Sequence, residues 1–358
     1  MVSTSESQSR RSALGMLVVS SGLVLVALPI FMVGGLAVQI RDDLGFSESA
    51  LGAAVTIGFS AGAAAALFGG RLADRLGPRH SIQIGAALAT LSMLGLGLVA
   101  DSWLSLTAFL CIAGLGVAIT DPGLAILVDR VIPLGKQGLA FGVKEASIPA
   151  ATLLAGLAVP TIALTAGWRW AFALGAIPLV IVIVLLPRVS PVETEPEDYD
   201  LEPVFGLEEV GASPHRKAIV YAAIGGAMGT AAASGVGVFL TESAVAMGMS
   251  PSGAGFLLAA GSVAGIIARI TAGVAADRIG GIQFRLISMM LAFGAITIAL
   301  GGTGTTAFLV VGTIGAFTGG WAWTGIFFLS LIKTNPTAPG AAAGVGTFSL
   351  GLGNASGP

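Results

Sequence analysis

Long apolar runs alternate with short polar breaks along most of this chain. A helix crossing hydrocarbon needs about 20 mostly apolar residues. Stretches of that kind lie at approximately 13–38, 50–69, 82–100, 104–128, 138–164, 170–187, 218–240, 252–272, 285–302, 306–331 and 340–358. The predicted fold class is an all-α membrane protein. Glycine, 53 residues of 358, recurs inside the runs. In lipid, small residues let helix backbones approach closely, so these glycines read as packing surface with some hinges among them. The first run is too long for the apolar core of a signal peptide, and further runs follow it. Arg10-Arg11 ahead of it reads as flanking positive charge rather than a twin-arginine signal.

One segment breaks the pattern. Residues 188–217 carry Glu193, Glu195, Glu197, Asp198, Asp200, Glu202, Glu208 and Glu209 with several prolines. Such a stretch cannot bury apolar surface and is expected to be a solvated linker. It divides the chain into 1–187, with six spans, the linker 188–217, and 218–358, with five.

Composition agrees with the pattern. Hydrophobic residues make up 55% of the chain and charged residues 10%, against roughly 25% charged in a soluble domain. The net charge of −2 offers no basic patch for nucleic acid. With one cysteine, Cys111, no intrachain disulfide can form. His80 and His215 lie far apart, so neither a metal site nor a cofactor is expected.

Charge also orients the chain. If the N-terminus is cytoplasmic, the inner face receives Arg10, Arg11, Arg71, Arg75, Arg79, Arg130, Lys136, Lys144, Arg188, Arg216, Lys217, Arg269, Arg278, Arg285 and Lys333. The outer face receives only Arg41 and Arg169. That asymmetry is what the positive-inside rule describes. The expectation is a multi-pass protein of the cytoplasmic (inner) membrane with the N-terminus inside. Trp103, Trp168 and Trp170 then fall at the outer interface, where tryptophan is enriched.

The two sides of the linker repeat each other. Gly70-Arg71-Leu72-Ala73-Asp74-Arg75-Leu76-Gly77 follows the second span, and Gly273-Val274-Ala275-Ala276-Asp277-Arg278-Ile279-Gly280 follows the eighth. Both read G-x-x-A-D-R-[L/I]-G. The longer run Gly70 to His80, G-R-L-A-D-R-L-G-P-R-H, resembles the signature between helices 2 and 3 of the major facilitator superfamily, and the second copy resembles that family's degenerate repeat. The resemblance extends over linker, repeat and span order. It implies two pseudo-symmetric bundles that close alternately at either end, with Gly70, Asp74, Arg75, Gly77 and Arg79, and in the second copy Gly273, Asp277 and Arg278, closing the cytoplasmic side. Gly70 leaves room for a helix of the other half, and Asp74 can meet a helix N-terminus, which carries partial positive charge. Family members have twelve spans. This sequence ends at Pro358 after the eleventh, so the twelfth is expected to be missing and the second bundle incomplete.

Two departures narrow the resemblance. Members that export drugs carry an arginine in span four, ahead of a G-x-G-x-A run. Here the run is Gly114-Leu115-Gly116-Val117-Ala118 and the matching position is Leu110. The pattern G-x8-G-x3-G-P of antiporters is loose in span five (Gly156, Pro160) and complete in span eleven (Gly344, Gly353, Gly357, Pro358). There it reads as helix bending and close packing.

Charges inside spans are expensive and mark functional candidates. Asp121, before Pro122, either carries a proton or binds a cationic group, or caps backbone freed at the proline. Lys144 and Glu145 either attract an anionic substrate and take up protons, or form a pair near the interface with Lys144 snorkelling. Arg269 groups with the second signature copy and the gate. Trp321 and Trp323 either stack on substrate or pack. Gln39, Thr56, Ser60, Ser234 and Thr324 could hydrogen-bond a solute.

The resulting reading is a proton-coupled secondary transporter of a small solute, possible classes including small organic or inorganic anions, working as a monomer in the lipid bilayer. A proton-coupled exporter of hydrophobic compounds and an inactive truncated remnant are its rivals. No clustered nucleophile and base, no metal motif and no P-loop points to an enzyme or to direct ATP drive.

Overall fold

The computed structural model describes residues 2–133, 135–189, 216–280, 283–334 and 339–357. The acidic linker expected at 188–217 falls almost wholly outside them. Every element among the described residues is helical. The helices are α1 (Val2–Gly35), α2 (Ala37–Leu44), α3 (Glu48–Leu98), α4 (Trp103–Val131), α5 (Gln137–Ala158), α6 (Trp168–Leu174), α7 (Ile177–Val189), α8 (Arg216–Ala246), α9 (Pro251–Ile279), α10 (Phe284–Gly301), α11 (Thr306–Gly315), α12 (Thr324–Thr334) and α13 (Pro339–Ser356).

Ten stretches are long and apolar enough to cross a membrane, from Ser12–Gly35 to Thr306–Leu331. They coincide with the first ten predicted spans. The eleventh stretch is also a helix, α13, but it is not among the ten. Glycine, serine and Asn354 dilute its apolar content. It earns its place by close packing: a Cβ at Gly351 would lie 3.0 Å from Ala63, and Gly353 and Gly357 rest directly on the backbone of α8 at Ala227 and Ala231. Gly353 and Gly357, two members of that glycine pattern, thus pack closely, while Pro358 and the contacts of Gly344 lie outside those described.

The bundle has two ends. At one end lie the two signature copies; here this is called the signature end. At the opposite end the connections are short, and hydroxyls cap the helices that start there. Ser47 accepts from Ala50, Ser102 and Ser105 form a capping box, Ser250 precedes Pro251, and Thr305 caps α11. Each such oxygen satisfies an N–H that the helix leaves without a partner. Trp168 Nε1 donates to Asp43 at 3.1 Å and Trp103 Nε1 to the Ala50 carbonyl at 2.6 Å, both at this end. Arg41 and Arg169 are there too. Arg169 pairs with Asp43 at 3.2 Å, and Arg41 reaches across to Glu242 of α8.

The signature repeat has a backbone cause. The glycine closing each copy has positive φ: Gly77 at φ 72° and Gly280 at φ 71°. A side chain is strained there and glycine is not. At Gly77 the helix breaks and resumes at Pro78, so α3 is two spans joined by a kink.

The outer flanks are apolar. Ile177, Val180 and Ile183 of α7 and Met289, Phe293 and Ile296 of α10 are all exposed. In water such faces would drive association; in hydrocarbon they are the solvent interface. The protein is a multi-pass membrane protein. Leu110, at the position of the absent arginine, is fully buried, and a Cβ on Gly58 of α3 would meet its Cβ at 2.9 Å.

Candidate functional site

Helix α5 packs along α9 over nearly its whole length through glycine contacts. A Cβ at Gly138 would lie 2.6 Å from the Gly273 carbonyl, one at Gly142 2.6 Å from the Arg269 carbonyl, and one at Gly156 2.6 Å from the Gly255 carbonyl. Between them Thr152 and Ser262 hydroxyls bond each other at 2.6 Å. Residues on the two sides of the linker are thus in backbone contact from end to end. At the far end Thr241 of α8 donates to the Gly34 carbonyl of α1 at 2.9 Å.

Inside this interface lies a buried charged network. Lys144 Nζ is 2.6 Å from Asp121 Oδ1 of α4 and 2.8 Å from Glu145 Oε1. Thr324, the first residue of α12, donates its hydroxyl to Glu145 Oε2 at 3.0 Å. Arg269 of α9 donates Nη1 to the Glu145 main-chain carbonyl at 2.9 Å and Nη2 to the Trp321 carbonyl at 2.7 Å. Its Nε is buried without a hydrogen-bond partner. Lys144 is 1% exposed and Arg269 2%, while the Asp121 side chain is 14% exposed.

Local sequence explains the assembly. Lys144 and Glu145 are adjacent on one helix, so they fan to different neighbours. The Lys144 amine turns back to α4, and the Glu145 carboxylate turns across to α12. A π-helical turn, Ala316–Gly320, ends the run of α11, and Trp321–Trp323 are non-helical before α12 begins. That break frees the Trp321 carbonyl for Arg269. It also sets the N-terminus of α12, with its partial positive charge, against Glu145. Breaks of this kind near the middle of a span recur where transporters bind solutes.

Four of the sequence candidates, Asp121, Lys144, Glu145 and Arg269, therefore meet in one place. Lys144 does not snorkel; it is buried between two carboxylates. Asp121 engages Lys144. Arg269, grouped from sequence with the gate, sits two helical turns above Asp277, at ~12 Å along α9 for a rise of 1.5 Å per residue. Thr324 is the polar candidate that joins this network, and its sequence neighbourhood gave no means of ranking it. Trp321 packs against Phe31 of α1 and Phe317, each at 5.4 Å between ring centroids, with the Arg269 guanidinium 5.3 Å from its ring. Trp323 is fully buried among α8, α10 and α12, edge-on to Phe327 at 5.2 Å. Both tryptophans pack against neighbouring rings.

The signature copies differ. Among the described residues, a Cβ on Gly70 would meet nothing within 4 Å. Arg75 and Arg79 are exposed. The side chain of Asp74 is outside the described ones. The second copy, degenerate in sequence, makes the inter-half contact. Asp277 accepts from the Gly138 and Leu139 amides, each at 2.8 Å, at the N-terminus of α5. Gly273 sits directly on the Gly138 carbonyl. The interaction expected of Asp74, a carboxylate on a helix N-terminus, is thus observed at Asp277.

The Major Facilitator Superfamily profile matches residues 19–358. An uncharacterised MFS-type transporter of Mycobacterium tuberculosis is 28% identical over 46% of this chain and 30% of its own length. The gentisate transporter of Corynebacterium glutamicum is 25% identical over 76% of this chain and 63% of its own length. The chain thus spans under a third of the first relative's length and less than two thirds of the second's. Among solved structures, a D-xylose-proton symporter superposes with a TM-score of 0.70 at 18% identity, covering 95% of this chain and 87% of that one; at such identity the likeness is one of fold. The chain belongs to the Major Facilitator Superfamily.

Proposed function

We propose that this chain moves a small anion across the cytoplasmic membrane by alternating access, coupled to protons. The observation that carries this reading is the pair of buried cations, Lys144 and Arg269, at the interface between the two sides of the linker. Buried charge in a membrane span is costly and marks solute or proton paths. Residues 1–187 and 218–358 are the moving halves, and 188–217 tethers them. The signature end faces the cytoplasm, as the split of Lys and Arg implies. One chain carries contacts that close both ends, so a monomer suffices.

The physics of the cycle follows from the network. Asp121, Lys144 and Glu145 belong to one half, and Arg269, Trp321 and Thr324 to the other. Opening the signature end parts α5 from α9 and α12, which breaks the Thr324–Glu145 and Arg269–Glu145 bonds and exposes both cations to an entering anion. Asp121, the most exposed member, is a point of proton entry. The organic anion named by the Corynebacterium relative, gentisate, is an aromatic carboxylate, which supports the anion class. The packed Leu110 in place of an arginine speaks against the exporter reading.

The test is flux into proteoliposomes holding the purified chain. Labelled gentisate and nitrate are expected to accumulate under an inward proton gradient and to stop when it is collapsed. Accumulation of xylose or a cationic dye, with neither anion moved, would overturn the reading.

A further inference from the structure

We infer that the Glu145 carboxylate is a tethered stand-in for the transported anion, occupying a one-carboxylate cradle that a substrate monoanion takes over when Glu145 is protonated. The inference rests on the anion reading and names its substrate class and coupling.

The cradle is built from three sides. Lys144 Nζ approaches Glu145 Oε1 at 2.8 Å, and the Thr324 hydroxyl approaches Oε2 at 3.0 Å. The carboxylate lies against the start of α12, an 11-residue helix whose N-terminal dipole favours an anion. Arg269 adjoins, binding the Glu145 main chain, with two donors committed to carbonyls and Nε without a partner. No carboxylate forms an ion pair with Arg269 among the described residues. A buried guanidinium hydrogen-bonded only to two carbonyls, with its Nε unpaired, is a donor awaiting an acceptor, since buried polar groups are otherwise hydrogen-bonded.

Charge counting gives the stoichiometry. The charged groups facing Glu145 are Lys144 on its own helix, Asp121 through Lys144 from α4, and Arg269 from α9; α12 presents Thr324, which is neutral. With both carboxylates ionised the set is neutral. A proton from the medium on Glu145 alone leaves it at +1, and an anion alone leaves it at −1. Net charge is costly in a buried site, so the two singly loaded states are disfavoured, while the empty state and the state holding one proton and one monoanion are both neutral. Proton and monoanion therefore load together. The cradle holds one carboxylate group, so the class is a monocarboxylate. The aromatic ring of Phe328, 5.3 Å from Lys144 Nζ, suits an aromatic one.

Binding of benzoate to the purified full chain in detergent tests this, read by calorimetry in two buffers of different ionisation enthalpy over about pH 5 to 8. The wild type is expected to take up one proton per benzoate, with Kd rising toward about tenfold per pH unit at the alkaline side. Glu145→Gln, which keeps the shape and removes the charge, is expected to bind benzoate without proton uptake and with a Kd independent of pH. At about pH 7.5, where phthalate is a dianion, it is expected to bind far more weakly than benzoate. Benzoate binding to the wild type without proton uptake, proton uptake retained in Glu145→Gln, or phthalate bound as tightly as benzoate overturns this inference and leaves the anion reading standing. Failure of benzoate, gentisate and nitrate all to bind the wild type ends both.

Discussion

Replacing Lys144 by methionine should lower stability by about 3–5 kcal/mol, the usual cost of breaking a buried ion pair by removing one partner. Methionine is close in length to the lysine stem, so little cavity is left. What remains is electrostatic: Asp121 and Glu145, both within 3 Å of the lysine nitrogen, would share a buried space with no cation between them. Thermal unfolding of the purified protein in detergent reads the loss. Adding Asp121→Asn to Lys144→Met should recover part of it, because a single carboxylate then remains beside Arg269. A melting temperature equal to wild type in Lys144→Met would mean that the network contributes nothing to the closed bundle.

The second large effect is expected at Gly142. This glycine is wedged between the Arg269 carbonyl of α9 and Gly325 of α12, and a Cβ there would lie 2.6 Å from the former. Both neighbours are backbone and cannot rotate away. Gly142→Leu should therefore keep α5 from seating against the other half. Overpacking costs about 1–3 kcal/mol, and here the cost falls on the conformation closed at the signature end. At 1.4 kcal/mol per tenfold change, the closed population should drop between about fivefold and somewhat over a hundredfold. Spin labels replacing Lys136 and Lys333, exposed on opposite halves at that end, should report a longer distance distribution. Asp277→Asn, which weakens the carboxylate's hold on the α5 amides without adding bulk, should shift the same distribution in the same direction by less. An unchanged distribution in Gly142→Leu would show that the glycine contacts do not hold the closed form.

The span pattern was legible because its signal is physical and local: some twenty apolar residues cross hydrocarbon, and charged loops do not. The kink at Gly77-Pro78 and the fine bounds depend on backbone angles and were less legible. The site was readable only as a roster. Asp121, Lys144, Glu145 and Arg269 stand out because charge in a span is rare, but nothing in one sequence says that α4, α5 and α9 bring them within hydrogen-bonding reach. Nearness in sequence groups Arg269 with Asp277; the helix sets the two about two turns apart and brings Arg269 to the Glu145 and Trp321 carbonyls. The partner of the signature misled in the opposite way. Among the described residues nothing lies within 4 Å of a Cβ at Gly70 in the more complete motif, while the shorter copy, at Gly273 and Asp277, touches α5. A motif records backbone shape, and both copies share their left-handed glycine, whereas contact depends on which helix lies opposite.

The non-helical step at Trp321–Trp323 has an optical consequence. Two indoles only two residues apart face different surroundings: Trp321 leans on Phe31 across the divide between halves and under the Arg269 guanidinium, while Trp323 is enclosed within its own half and donates Nε1 to the Gly320 carbonyl at 2.8 Å. A motion that parts the halves alters the polarity and quenching around the first indole and leaves the second as an internal reference. If the two sides part as proposed, a chain with Trp103, Trp168 and Trp170 replaced by phenylalanine would report that opening in its own emission.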